Sequence, residues 1–211
     1  MFSNRTDAGK QLAEKLQAYK NQEVVVFSLS HGGVPIGIEV SKVLDAPLEL
    51  IFTKKIKHPY NPVYAIGAIS ENGMSIYNDL EIAKVEDEWL ENEEAKLKNE
   101  IKYRRYKFGD IKHFATGKTA IIVDDGIATG FTMLAAIDDV KKQNPSKIVV
   151  AIPVVPEQMA QKLDQEVDEV VAIDRTRTYK GSVSAYYEQL EKLSDEELLE
   201  RLELMQSSDK I

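Results

Sequence analysis

The chain has 211 residues, with 27 Lys+Arg against 35 Asp+Glu, a formal net charge of −8. Its 43% hydrophobic and 29% charged content is that of an ordinary globular protein and excludes collagen-like, coiled-coil and disordered classes. The acidic total argues against a nucleic-acid coat protein, which needs Lys and Arg to neutralise phosphates. With no cysteine, disulfides and thiolate chemistry are excluded. No apolar run reaches the ~18–20 residues that span a bilayer, and the opening MFSNRTDAGK lacks a signal-peptide core. The expected address is the cytoplasm, with no membrane and no nucleic-acid partner.

Residues 5–19 place Leu12, Leu16 and Tyr19 on one side, predicting a short amphipathic helix. Val24–Leu29 (VVVFSL) is a near-continuous β-branched run, expected for a buried parallel strand. Ser30-His31-Gly32-Gly33 then makes a glycine-rich turn into a helix over Val34–Leu44 with Pro35 in its first turn, and Leu48–Phe52 reads as the next strand. This is a βαβ unit. Within 64–77, Asn72-Gly73 between alternating segments signals a type I′ hairpin. Residues 81–107 are strongly charged, with Val85, Trp89, Leu90, Leu97 and Ile101 on one helical face and Glu94/Lys98 and Glu100/Arg104 as supporting pairs. The α/β rhythm resumes at Thr119: strand TAIIV, turn DDGIATG, helix FTMLAAIDDVKK, strand KIVVAIPVV, helix Pro156–Leu163 and strand EVVAI. Ser194-Asp195-Glu196-Glu197 is a capping box opening a last helix with Leu198, Leu199, Leu202 and Met205 as apolar positions. The fold class expected is α/β, a mostly parallel central sheet flanked by helices. It forms one domain over residues 1–211 with an inserted hairpin and helix over residues 64–111.

The chemistry concentrates in Thr119–Thr132, TAIIVDDGIATGFT. An apolar strand ends in two carboxylates, Asp124 and Asp125; a small-residue loop follows and feeds a helix. Such a loop offers backbone N–H groups and a helix dipole to an anion, glycine at 130 admits close approach, and Thr129 and Thr132 add hydroxyls. Acids beside a phosphate cradle suit a sugar phosphate. An isolated D-D-G would read as a turn capping the helix; here strand, acid pair and T-G-x-T loop occur together. Two nucleotide motifs fail on spacing. Gly117-Lys118-Thr119 precedes a strand instead of opening a helix, and His31–Gly37 does not fit G-x-G-x-x-G.

IIVDDGIATGFT resembles the phosphoribosyl-pyrophosphate (PRPP) signature of the type I phosphoribosyltransferases. FSNRTDAGKQLAEKL, SLSHGGVPIGIEVSKVLDAPLEL, NPVYAIGAISENG, AIPVVP and YYEQLEKLSDEELL extend the similarity over most of the chain to a bacterial subgroup of that family. The resemblance implies that Asp124 and Asp125 bind the ribose hydroxyls and serve catalysis. It implies a 5-phosphate loop of Gly126, Ala128, Thr129, Gly130, Phe131 and Thr132, and a pyrophosphate loop of Ser30, His31, Gly32 and Gly33. His31 stands where relatives usually carry Arg, and imidazole is largely neutral at pH 7; the plainer reading of His31 is an exposed loop residue. Lys54 and Lys55 read equally as a cationic wall for pyrophosphate or as a solvated pair. Arg104 and Arg105 are candidates for a lid over the phosphates, against the commoner reading of a charge run as a solvated face. His58 and His113 lack ligand partners at metal spacing, and Trp89 reads as an anchor of the inserted helix.

The implied activity is transfer of the phosphoribosyl group from Mg²⁺–PRPP to a nitrogen nucleophile, a nucleobase by preference, with release of pyrophosphate. Magnesium would be held by PRPP and not by the protein directly, and PRPP and a small-molecule acceptor are the partners; a homodimer stays open. Two other readings compete: a PRPP- or nucleotide-sensing regulator on the same fold, and an interaction module built on the helix around Trp89.

Overall fold

The computed structural model describes residues 1–29 and 31–208, with side chains through Met205. In chain order the elements are α1 (Arg5–Lys15), β1 (Val24–Leu29), α2 (Gly33–Leu44), β2 (Leu48–Ile51), β3 (Thr53–His58), β4 (Asn61–Ser70) and β5 (Ser75–Tyr77). There follow α3 (Asp79–Ile82), α4 (Asp87–Phe108), β6 (Thr119–Val123), α5 (Phe131–Lys141), β7 (Lys147–Pro156), α6 (Glu157–Leu163), β8 (Glu169–Thr176) and α7 (Asp195–Ser208).

A five-stranded parallel sheet in the order β2-β1-β6-β7-β8 forms the centre. Its central strands β1 and β6 and the middle of β7 are buried along their length because both faces are covered, while the edge strand β8 carries Glu169, Asp174 and Arg175. Val24 and Val26 of β1, Ile121 and Val123 of β6, and Val149 and Ala151 of β7 face α1 and α2, where Leu12, Leu16, Ile36 and Val40 meet them. The alternate residues Val25, Phe27, Ile122, Val150 and Ile152 face α5 and α6 through Met133, Ile137, Val140 and Leu163. The chain leaves β1 for β2 on one side and returns to β6 on the other. That reversal opens a crevice beyond the carboxyl ends of β1 and β6, the position where open α/β sheets hold ligands.

A second sheet, β3-β4-β5, is antiparallel. It joins α4, α2 and α7 in a third core containing Phe52, Ile56, Ile66, Ile69, Leu97, Ile101 and Leu198, against which Trp89 packs. Three local expectations change. The stretch after the second strand that carries Lys54 and Lys55 is itself a strand, β3; TKKIKH buries only Ile56, so no apolar alternation announced it, and the added sheet starts at Thr53. The 81–107 helix is interrupted, α3 and α4 being separated by 83–86. The hairpin turn is not type I′, which needs left-handed backbone at both central residues. Asn72 is absent from the left-handed positions while Gly73 has φ 76°, and Gly73 N–H donates to Ser70 O (3.0 Å), a three-residue loop with a glycine bulge. The Asn72 amide instead donates to Asp139 Oδ1 (3.0 Å), which also accepts from Ser70 Oγ (2.8 Å), tying the turn to α5. The capping box forms as predicted: Glu197 N–H donates to Ser194 Oγ (3.2 Å) and Ser194 N–H to Glu197 Oε2 (2.7 Å).

Candidate active site

The turns after β1 and β6 face each other across the crevice, and their glycines are fixed by that approach. A Cβ on Gly32 would lie 2.4 Å from Asp125 Oδ2, and one on Gly33 2.7 Å from Val123 O. These two glycines therefore admit the neighbouring strand end and its carboxylate before any ligand is considered. Gly130 is required twice over: its φ is 79°, and a Cβ there would sit 2.4 Å from Met159 Sδ.

A cleft of about 420 Å³ opens here, lined by Arg5, His31, Gly32, Thr53, Lys54, Lys55, Arg104, Asp124–Gly130 and Thr132. The structure thus gathers Asp124, Asp125, Gly126, Ala128, Thr129, Gly130, Thr132, His31, Gly32, Lys54, Lys55 and Arg104 around one space. Gly33 and Phe131 stand behind it, and Ser30 lies outside the described residues. α5 starts at Phe131 with no side-chain cap, so its first-turn amides face the loop without a competing acceptor from a capping side chain. The Ile127 amide is already committed to Val154 O (2.9 Å).

The acid pair is asymmetric. Among the described residues Asp124 accepts only the Asp125 amide, at 2.9 Å on Oδ1, and burial together with the charge of Asp125 pushes its carboxyl well above the usual range. Burial also raises Asp125, but the Arg5 guanidinium opposes it. Arg5 Nε and Nη2 both stand 2.8 Å from Asp125 Oδ2, so the guanidinium binds Asp125 directly and favours its ionised form. Tyr187 donates its hydroxyl to the Asp125 carbonyl (2.6 Å), and burial beside the two acids pushes that phenol far up.

The opposite wall is cationic but internally paired. Lys54 pairs with Glu100 at 2.8 Å, displacing the anticipated Glu100/Arg104 pair. Lys55 makes no ion pair among the described residues, and its charge acts on both aspartates. Arg104 Nη2 reaches Asp195 Oδ1 at 2.6 Å and His31 Nε2 at 2.7 Å. The same Nε2 stands 3.1 Å from Asp195 Oδ1, so this ring nitrogen faces a guanidinium donor and a carboxylate acceptor at once. Burial and the Arg104 charge lower the His31 pKa despite Asp195. His31 holds left-handed backbone (φ 63°), an uncommon conformation for a non-glycine residue. Arg105 does not reach the cleft: it pairs with Glu71 and donates to Leu50 O and Gly109 O, over the Phe52 ring. His58 and His113 stand apart from the cleft, and no cluster of three metal-ligating side chains occurs among the described residues. No described helix is long and apolar enough to cross a membrane.

Arg5, Tyr187 and Asp195 were not apparent in the sequence. Arg5 and Asp125 are 120 positions apart, and Asp195 reads locally as nothing more than an acid complementing a helix N-terminus.

Comparison with known proteins agrees with this architecture. The profile of the phosphoribosyl transferase domain family matches residues 3–189. Proteins of two Mycobacterium tuberculosis strains, CDC 1551 / Oshkosh and H37Rv, each named "Putative phosphoribosyl transferase", are 35% identical over 203 residues, covering 94% of this chain and 46% of theirs. The chain thus spans about half the length of those curated relatives. The crystal structure of TT1426 from Thermus thermophilus superposes with a TM-score of 0.77 at 31% identity, covering 96% of this chain and 97% of that one.

Proposed function

The chain belongs to the phosphoribosyl transferase domain family, and on that premise we propose that it binds PRPP as its magnesium complex and transfers the phosphoribosyl group to a nitrogen nucleophile, a nucleobase by preference. The observation that carries this reading is the juxtaposition of Asp124 and Asp125 with the uncapped start of α5 in one cleft. The acids suit the ribose hydroxyls. The Ala128–Thr132 backbone with the Thr129 and Thr132 hydroxyls suits the 5-phosphate. His31, Gly32, Lys54 and Lys55 lie where the pyrophosphate would extend, with Arg104 as the contribution of the 64–111 insertion, the hood in this reading. Magnesium enters as part of the substrate.

In the reaction the C1–oxygen bond to pyrophosphate breaks and a C1–nitrogen bond forms. Positive charge develops on the ribose ring, and a carboxylate of the acid pair beside the ring would stabilise that charge. Pyrophosphate leaves with the bond electrons, and the nitrogen gives up its proton to solvent water.

Pyrophosphate release from Mg²⁺–PRPP, measured across a panel of nucleobases, tests the reading. Turnover with at least one base is expected, and Asp125→Asn should reduce kcat/KM by about 100-fold. PRPP binding without release under any base would reassign the site to sensing; absence of PRPP binding would reject the reading altogether.

A further inference from the structure

Of all the contacts around the cleft, the most specific comes from the far end of the chain. Arg5 is the first residue of α1, whose side chain is 15% exposed against 14% for Asp125. Its Nε and Nη2 converge on a single oxygen, Oδ2, and its Nη1 donates to Glu191 O, so the guanidinium plane is fixed on two sides. Asp125 Oδ1 accepts no hydrogen bond among the described residues. The carbonyl of the same aspartate is held by the Tyr187 hydroxyl, and the absent Cβ of Gly32 gives the carboxylate its room.

We propose that Arg5 is a positioning residue for sugar binding: it clamps Asp125 through Oδ2 and presents Oδ1 to a ribose hydroxyl. This rests on the reading of the acid pair as the ribose site. A planar fork suits the task better than a lysine, because two donors in fixed geometry hold Oδ2 from one direction and leave the second oxygen to a ligand. An acceptor already in place spares the ligand the cost of ordering it. A purely structural staple would need no vacant oxygen beside the cleft, and it would treat every ligand of the cleft alike.

Calorimetric titration with two probes, ribose 5-phosphate and inorganic phosphate, separates these roles. Arg5→Gln should weaken ribose 5-phosphate by about tenfold, as loss of an orienting partner does at other sites, and leave phosphate unchanged. Arg5→Lys, which keeps the charge and guards against a variant that fails to fold, should show a smaller loss. In an Asp125→Asn background Arg5→Gln should add nothing, because the two act as a unit. An equal loss in that background would mean that Arg5 touches the ligand itself, and a matching loss of phosphate affinity would mean a general disturbance; either overturns the proposal. If Asp125→Asn weakens ribose 5-phosphate and Arg5→Gln does not, the positioning role falls alone. If Asp125→Asn has no effect, the ribose reading falls and takes this proposal with it.

Discussion

Asp124 is a residue held against its own stability. It is a half-buried carboxyl next to a second carboxylate, with one backbone amide as its hydrogen-bond donor among the described residues, and both desolvation and Asp125 raise its pKa. The sign follows from linkage: an acid with a raised folded pKa penalises the folded state at neutral pH, and the penalty fades as pH falls through that pKa. Asp124→Asn keeps an oxygen for the Asp125 amide and removes the repulsion. The ligand-free variant should therefore be more stable than the wild type by about 1 kcal/mol at pH 7, with the gap closing toward acid pH, while the melting shift caused by ribose 5-phosphate shrinks. Thermal melts from pH 4 to 8 decide it; a variant less stable than the wild type at pH 7 would mean that Asp124 is a structural acid. The identity of this residue was legible from its place after an apolar strand, but its asymmetry with Asp125 was not, because that asymmetry is produced by Arg5.

At the scale of elements, α4 and α7 are locked together over the cationic wall. α4 buries Leu97 and Ile101 in the same core as Leu198 of α7. At its other end Asp195 receives Arg104 (2.6 Å), Lys107 (3.3 Å) and the contact with His31 (3.1 Å). Burial alone would raise Asp195, but Arg104 and Lys107 hold its pKa below the usual value. Its carboxylate occupies the cations that a pyrophosphate would need. Asp195→Asn should therefore tighten pyrophosphate several-fold and cost about 1–2 kcal/mol of stability at neutral pH. That stability difference should shrink as pH falls through the depressed pKa, since the wild type then loses the same contact. Weaker pyrophosphate binding in the variant would show instead that Asp195 serves to aim Arg104. The capping box and the apolar stripe of α7 were readable because they repeat at helical spacing. The partners of Arg104 were not, since the nearest sequence neighbour of opposite charge, Glu100, turns to Lys54 on β3.

For the whole molecule, what was legible is the parallel α/β frame, because strands covered on both faces must be apolar without interruption. What was not legible is that the residues before α1 meet the segment between β8 and α7. Phe2 pairs with Tyr187, with Phe2 N–H donating to Tyr186 O (2.8 Å) and Glu188 N–H to Phe2 O (2.8 Å). From this junction Arg5 reaches the Asp125 side chain and Tyr187 reaches its carbonyl. Short pairings of a terminal segment open at low free-energy cost, and this one carries two of the groups that hold Asp125, the acid of the proposed sugar site. A ligand that needs Asp125 in place must therefore resist opening of the junction. With ribose 5-phosphate at about 100 Kd, the linkage stabilises the closed form by up to ~2.7 kcal/mol, or about 100-fold in exchange rate. Amide hydrogen exchange at Phe2 and Glu188 should slow toward that limit on binding, and much less in Asp125→Asn at matched occupancy. Slowing confined to the Ala128–Thr132 loop, with the junction exchanging as fast as in the free protein, would show that the termini close the fold without supporting the site.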